Sequence, residues 1–484
     1  MNSIGIYIHW PFCEKKCPYC DFNSYVKQNI NPDEWVNSYC KAIDYYKNYI
    51  IKRPIETIFF GGGTPSLAPV YVIEKIINKL YKEYVIHPNI EITLEANPSS
   101  TESAKMKDLK RAGINRISLG IQSIRNNNLI FLGRKHNVND AYHALDIIAN
   151  NYDNYSFDLI YGLPEQSLDD WKLDLETMLP LAKYHISLYQ LVIEPGTQFH
   201  KMWLNNIIKM PDENQLADFY NLTNEITIKN EFRHYEISNY CKIDKESKHN
   251  LRYWRYQDYL GIGPGAHSRF YNYTKISDCI NINDINNNII SKNDINNNII
   301  SKNDINNKNT DFSTRIATID HKNPEKWLQS VKKYDHGIND IEYIDCDIAK
   351  KEEIIMKMRL LNEGIEINKC SISDSVLKEL KDLDLIKIQK KYNIYDKNYG
   401  KKDKKNNLCT KLNFNKKENK NVINVNNKIS NKIIASNSIK GNINNKILKI
   451  DSMHDNEIND DIFYIMVTDR GSAVLDFVIE KLIK

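Results

Sequence analysis

Three cysteines stand within eight residues near the start of the chain: Cys13, Cys17 and Cys20, in the stretch CEKKCPYC. The chain has nine cysteines in 484 residues, an odd number with three of them clustered, which suits metal ligation better than a secreted disulfide framework. Two chemistries fit three thiols at this spacing. A structural zinc site is closed and four-coordinate, so it needs a fourth ligand, and His9 is the nearest, although it sits inside an apolar alternating run. An iron–sulfur cube offered only three thiolates keeps one iron open, and an open iron can bind a small molecule.

Other residues with chemical potential follow in order. The triplet Gly61, Gly62 and Gly63, in GGGTPS, would let a backbone approach the polar end of a ligand. Glu95 and Asp158 offer acceptors to hydroxyls or to an ammonium. Such parts suit a ligand that joins an amino acid to a nucleoside, as S-adenosylmethionine does. Taken singly, each has a plainer reading, since a glycine triplet is often a tight turn and a glutamate at a strand end is often a helix cap.

The elements that must carry these residues can be read from the pattern. Apolar, β-branched and aromatic runs at 4–10, 57–60, 90–96, 116–122, 156–162 and 185–193 predict six strands. Helix-period stretches lie between them, such as Trp35, Tyr39, Ile43, Tyr46 and Ile50 behind the start signal NPD. Alternating βα units imply a parallel sheet with right-handed crossovers, either an open TIM-like barrel or a doubly wound sheet. Both architectures gather chemistry beyond the carboxyl ends of the strands. The cysteine loop, the glycine triplet, Glu95, Gln122 and Asp158 all fall at or near consecutive strand ends, and this convergence is stronger than any one of them.

Composition bounds the rest. The length predicts two to three domains, the 41% hydrophobic content is that of a globular protein, and no run approaches the roughly 18 apolar residues of a membrane span. No leader is read at the N-terminus, and the cytoplasm is the expected compartment. The net charge is +4, yet residues 397–450 alone hold 14 Lys against 2 Asp/Glu. That stretch is Asn-rich and aperiodic, and in 283–308 the decapeptide NDINNNIISK occurs twice and begins a third time. Both are expected to be solvated insertions, because their composition buries too little apolar surface to offset ordering entropy. The basic run does not by itself predict a nucleic-acid partner.

CEKKCPYC matches the three-cysteine signature of radical S-adenosylmethionine proteins, and GGGTPS, EANP, RISLGIQS, LGRKH, FDLIYGLP, YEISNY, HNLRYW and GIGPGAHS resemble its coproporphyrinogen-oxidase-like branch, including the heme chaperones of that branch. The resemblance covers about residues 4–270, with a weaker tail in MRLLNEGI and VTDRGSAVLDFVI. It implies an α/β fold with a partial TIM-like (β/α)6 radical SAM barrel, followed by a small helical, winged-helix-like C-terminal domain split by low-complexity insertions. The domains expected on that basis are 1–270 for the core and its extension, 271–317 for the repeat insertion, 318–396 and 461–484 for the C-terminal domain, and 397–460 for the basic insertion.

The resemblance also implies site residues. Cys13, Cys17 and Cys20 would hold a [4Fe–4S] cluster, flanked by Tyr7 and Tyr19. Gly62, Gly63 and Thr64 would line the methionyl end of S-adenosylmethionine, and Glu95, Gln122, Arg134 and Asp158 would surround the remainder. His249, in HNLRYW, would ligate heme, with Tyr253 and Trp254 offering flat apolar surface. Two activities compete: oxidative decarboxylation of coproporphyrinogen III, and heme binding with delivery to acceptor proteins, respiratory ones among them. Such oxidases carry a fourth cysteine where this chain has Phe22, and an extension before the first strand, so the carrier is favoured. The resemblance leaves room for peripheral membrane contact and for a homodimer.

Overall fold

The computed structural model describes residues 3–27, 29–50, 53–272, 314–367, 372–390, 463–467 and 475–483. The expected insertions at 283–308 and 397–460 lie outside the described residues.

All six predicted strands form: β1 (Ile4–Trp10), β2 (Ile55–Gly62), β3 (Ile86–Ala96), β4 (Arg116–Gln122), β5 (Asn154–Tyr161) and β6 (His185–Gln190). Each pairs in parallel with the next. The crossovers carry α1 (Pro32–Tyr45), α2 (Val70–Glu83), α3 (Ser100–Arg111), α4 (Val138–Asn151) and α5 (Leu168–Met178). This is one of the two architectures that the alternation allows, and it is the partial barrel that the resemblance implies.

Local chemistry sets the helix starts. At α1 the Asn31 side chain accepts from the backbone N–H groups of Asp33 and Glu34, Pro32 opens the first turn, and the two acidic residues face the positive end of the helix dipole. The inner stripe of α1, Trp35, Val36, Tyr39, Ala42 and Ile43, is buried. Strand alternation then divides two environments. In β1, Ile4, Ile6 and Ile8 join the core beneath the helices, each at most 1% exposed. The intervening Tyr7 and His9 face the lumen, as do Arg116 and Ser118 of β4 and Ser156 and Asp158 of β5. A parallel strand buried on both faces is ordinarily apolar throughout, so these polar rows mark a lumen built for polar work.

The sheet extends past both edges of the barrel. After α6 (Glu213–Lys229), β7 (Arg233–Glu236) and β8 (Asn239–Cys241) add antiparallel strands beside β6. Beyond α7 (Lys248–Trp254), β9 (Tyr259–Ile262) pairs in parallel with β1, and β10 (His267–Asn272), β11 (Thr314–Asp320) and β12 (Ile338–Ile344) continue antiparallel. Twelve strands result, in the order β12-β11-β10-β9-β1-β2-β3-β4-β5-β6-β8-β7.

This corrects the domain boundary expected at residue 318, which falls inside β11. The chain divides into compact units Met1–Ala349 and Lys350–Lys484. The physical reason is aromatic packing. Trp327, in α8 (Pro324–Tyr334), stacks on Trp35 of α1 at 5.6 Å and 1° between planes, closing a cluster with Trp10, Phe12 and Tyr39.

The second unit holds most of α9 (Cys346–Lys357), then β13 (Ile365–Glu366), α10 (Asp374–Asp382), β14 (Ile386–Lys390), β15 (Phe463–Val467) and α11 (Leu475–Ile483). Its three strands form an antiparallel sheet in the order β13-β15-β14. Helices around a small sheet give it the winged-helix-like character expected.

Candidate metal and cofactor site

The cysteine loop leaves the carboxyl end of β1 and is pinned at both ends, because Phe12 and Cys13 pair in parallel with Tyr25 and Val26. Cys13, Cys17 and Cys20 are free and half-buried. Burial pushes the Cys13 and Cys20 thiols up, and the neighbouring thiols add to it, so the three sense one another's charge. At Cys13 the Thr64 hydroxyl opposes that effect. Thr64 Oγ1 donates to Cys13 Sγ at 3.4 Å, and Arg134 Nη1 donates to Cys17 Sγ at 3.6 Å. Donors aimed at sulfur favour the thiolate. Among the described residues, no three His, Cys, Asp or Glu close on a single ion. Three thiols on one loop, two of them met by side-chain donors, fit a multi-atom cluster held on three thiolates.

His9 is placed elsewhere than a fourth zinc ligand would be. Its Nδ1 lies 3.0 Å from the Tyr7 hydroxyl and its Nε2 lies 2.9 Å from the Asn23 carbonyl oxygen. Burial holds the imidazole neutral, down to about 4. Asn23 is itself a clamp: its Nδ2 donates to the Pro264 carbonyl at 2.8 Å and the Lys322 carbonyl at 2.9 Å.

The glycine triplet turns out to serve the protein's own chain. Gly62 has φ of 111°, and a Cβ there would come within 2.5 Å of the His9 ring; a Cβ on Gly63 would lie 2.7 Å from the Phe12 carbonyl oxygen. The Gly63 N–H donates to the Trp10 carbonyl at 2.7 Å and the Thr64 N–H to the Phe12 carbonyl at 2.9 Å. That close approach is what sets the Thr64 hydroxyl against Cys13.

Arg134 occupies the rim above β4. Its Nη2 donates to the Gly120 carbonyl at 2.9 Å and to Asn97 Oδ1. Gly120 leaves room for this group, since a Cβ there would meet Gln122 Nε2 at 2.8 Å and Arg134 Nη2 at 3.3 Å. Gln122 closes β4 with φ of 71°, where the register to β5 shifts. Tyr19 lies beside Arg134; burial pushes its phenol up while the guanidinium pulls it back. A pocket beside Cys17 is lined by Thr64, Asn97, Gly133, Arg134 and His136. Tyr7 sits lower in the lumen, its ring 6.2 Å from that of Phe59.

Glu95 and Asp158 form an unequal pair in the lumen. Burial pushes Glu95 up to about 8, with the Asp158 charge adding to it and the Gly62 N–H, 3.1 Å away, opposing it. Burial also raises Asp158, but only to about 6, because the Ser187 hydroxyl, Arg116, Arg134 and the Ser118 hydroxyl all favour its ionised form. Near neutral pH the pair therefore carries about one negative charge, centred on Asp158, while Glu95 keeps a proton. One carboxyl accepts and the other can donate.

His249, expected to ligate heme, is packed among the protein's own side chains. It is 1% exposed at the start of α7, its Nδ1 lies 2.8 Å from Thr57 Oγ1, its Nε2 lies 3.1 Å from the Tyr253 hydroxyl, and its ring stacks on Phe59 at 5.0 Å. Burial drives its pKa down to about 3. Both ring nitrogens have protein partners, and Tyr253 is one of them rather than part of an open surface.

The structure thus brings Cys13, Cys17, Cys20, Tyr19, Thr64 and Arg134 together at the rim, with Glu95, Asp158 and Tyr7 facing the lumen beneath, and sets His249 apart. Sequence reasoning missed Asn97, Arg116, Ser118, Ser156 and Ser187 as parts of this environment. For the last four the available signal was their period-two placement in strands that should have been uniformly apolar, whereas Asn97 lies just past the end of β3.

Comparison with known proteins agrees with this geometry. The pattern of the Radical SAM superfamily matches residues 7–178. The chain is 41% identical over 267 residues to the heme chaperone HemW of Synechocystis sp., covering 54% of this chain and 65% of that protein, a little under two thirds. It is 38% identical over 295 residues to the heme chaperone HemW of Buchnera aphidicola subsp. Schizaphis graminum, covering 59% of this chain and 77% of that protein. In fold it resembles the solved structure of coproporphyrinogen III oxidase (HemN) from Escherichia coli, a radical SAM enzyme, with a TM-score of 0.62 over 80% of this chain and 85% of that one. At 17% identity that likeness is one of fold alone. Among the described residues no helix is long and apolar enough to cross a membrane.

Proposed function

The chain belongs to the HemW family of radical SAM proteins, and from that premise we propose that it carries a [4Fe–4S] cluster on Cys13, Cys17 and Cys20, binds S-adenosylmethionine beside it, and binds heme for delivery to acceptor proteins. The observation that carries this reading is the pair of donors on the cysteine loop, Thr64 to Cys13 and Arg134 to Cys17. Hydrogen bonds aimed at two of three clustered sulfurs suit bound thiolates, not idle thiols. When bound, the cluster supplies an iron with a free coordination position and an electron.

The chain's own residues then have assignable duties. Thr64 and Arg134 stabilise charge on the cluster sulfurs. Tyr19 covers the loop from the Phe199 side, its ring 6.3 Å from that of Phe199. Gly62, Gly63 and Thr64 border the methionyl end of S-adenosylmethionine, Gln122 and Arg134 border the rim above it, and Tyr7 supports the lumen wall. The ionised Asp158 accepts from a hydroxyl or ammonium of that ligand, and the protonated Glu95 donates to an acceptor. The heme site is not assigned to His249, whose ring nitrogens are both occupied.

The likeness to an oxidase is one of fold and does not bring its reaction with it. Phe22, 59% exposed, stands where such oxidases place a fourth cysteine. The deciding experiment adds heme and coproporphyrinogen III separately to the anaerobically reconstituted full chain. Stoichiometric heme binding, transfer to an apo-acceptor and no decarboxylation are expected. Conversion of coproporphyrinogen III at an enzymatic rate would overturn the carrier reading.

A further inference from the structure

Below the carboxylate pair the lumen holds a buried cation. Arg116, in the inward row of β4, is 3% exposed, and among the described residues it has no ion-pair partner. Its Nη2 donates to Ser156 Oγ at 2.9 Å. Ser156 Oγ lies 3.2 Å from Ser118 Oγ, and Ser118 Oγ lies 3.5 Å from Asp158 Oδ1. These four side chains alternate between two neighbouring strands, because Ser118 of β4 pairs directly with Ser156 of β5.

The chemistry of the members fixes the direction of the chain. A guanidinium can only donate, and an ionised carboxylate can only accept. Once Ser156 has accepted from Arg116, its single proton is free for Ser118, and the Ser118 proton is then free for Asp158. Reversing either hydroxyl would set two donors, or two acceptors, against each other in a buried place, which costs the desolvation of an unsatisfied group. Glu95 has no comparable supply among the described residues, since its hydrogen-bond partner there is the neutral Gly62 N–H.

We infer that Arg116 is a positioning residue that acts through Ser156 and Ser118 to hold Asp158 as an ionised, acceptor-only carboxylate, so that the lumen selects a ligand presenting a hydroxyl or ammonium donor at that point. This rests on the reading above that the ligand is S-adenosylmethionine, whose ribose hydroxyls and ammonium are such donors. The groups facing Asp158 are Arg116 and Ser118 from β4, Ser187 and Tyr189 from β6, Glu95 from β3, and Arg134 from the loop before α4. The relay distinguishes Arg116 from Arg134: the first reaches Asp158 through two hydroxyls, whereas the second is tied to Asn97, the Gly120 carbonyl and Cys17.

Two arms test it on the reconstituted full chain, with iron and sulfide measured in every sample. In the first, S-adenosylmethionine binding is followed by equilibrium dialysis from pH 5 to 9. Wild type should lose affinity on acidification with a midpoint near 6, the value to which Asp158 is raised. In Arg116→Gln that midpoint should move up by about one unit, weakening binding at the old midpoint several-fold; Ser118→Ala should move it the same way by less, and Arg116→Lys should bring it back. The second arm needs no ligand: the unfolding midpoint of wild type minus that of Asp158→Asn, followed against pH, reads the Asp158 ionisation directly, and repeating it in the Arg116→Gln background should shift the curve upward. If wild type binds no S-adenosylmethionine, the ligand assignment fails while the second arm still decides the relay. Unchanged curves in both arms, in variants that fold and hold a full cluster, would overturn the inference, and if Arg116→Gln does not fold, Ser118→Ala alone decides.

Discussion

Arg134 places a guanidinium nitrogen 3.6 Å from the sulfur of Cys17 across 117 residues of sequence, while its other amino group is fixed by Asn97 and the Gly120 carbonyl. A positive group held against a cluster ligand makes the reduced cluster easier to reach. Arg134→Ala should therefore still assemble a cluster but with a more negative midpoint potential. Asn97→Ala, which releases the guanidinium without removing its charge, should shift it the same way by less. A redox titration followed by electron paramagnetic resonance measures both, and a potential unchanged in Arg134→Ala would refute the electrostatic role.

Each of Cys13→Ser, Cys17→Ser and Cys20→Ser should abolish cluster assembly, because the loop offers no spare thiol. Cys40, Cys241 and Cys346, free and outside that loop, should each be replaceable without loss. Iron and sulfide content after anaerobic reconstitution is the measurement. A full cluster in any of the first three variants, or zinc without sulfide in the parent, would sink the assignment.

Glu95 sets an alkaline limit on stability. Its folded pKa of about 8 lies above that of an ordinary carboxyl, so the folded state holds a proton that the unfolded state releases. Stability contributed by that proton is present at low pH and is lost as pH rises from the ordinary carboxylate range through about 8. Glu95→Gln should remove this loss and leave the variant more stable than wild type at pH 9, by on the order of 5 kcal/mol for a rise from 4.5 to about 8 at roughly 1.4 kcal/mol per unit. Urea unfolding at pH 6 and pH 9 tests it, and equal pH dependence in the two proteins would show that Glu95 is not held protonated.

His249→Ala should behave as a structural lesion. It deletes a stacked ring and leaves Thr57 and Tyr253 without partners, a cost of about 2 to 4 kcal/mol by the usual values for such sites. Heme titration at a temperature where the variant is folded should give the wild-type Soret spectrum and affinity. A lost or shifted Soret band in a folded variant would restore this imidazole as an iron ligand.

How much of this was legible beforehand depends on what each feature needs. The six barrel strands and their order could be read because alternation of β-branched residues is local, and the cysteine loop because three thiols in eight residues have few other uses. The edge strands were harder to see. Arg233–Glu236 is only four residues long and Ile338–Ile344 is mostly exposed, so neither shows a clear alternation. The glycine triplet was read as a place where a ligand approaches the backbone, but a sequence does not say what else comes close, and within the chain His9 and Phe12 do. His249 shows the same limit more sharply: a motif gives the identity of a side chain, while only the pairing of α7 over β2 and β3 decides that the ring points inward. The relay from Arg116 to Asp158 depends on strand register, which no single strand contains.

The Asn23 clamp bears on the order in which the molecule is made. The loop that carries the thiols leaves a ribosome before the segments that fasten it, since Asn23 is braced by carbonyls 241 and 299 residues further along the chain. At about 5 to 20 residues per second, the second brace follows roughly 15 to 60 seconds later. Until then the loop lacks its most distant fastening, and contacts of such long sequence separation are also the slow ones to form. Cluster insertion therefore belongs after translation of the sheet's far edge, and a nascent chain truncated before Lys322 should take up iron and sulfide poorly even though all three cysteines are already present.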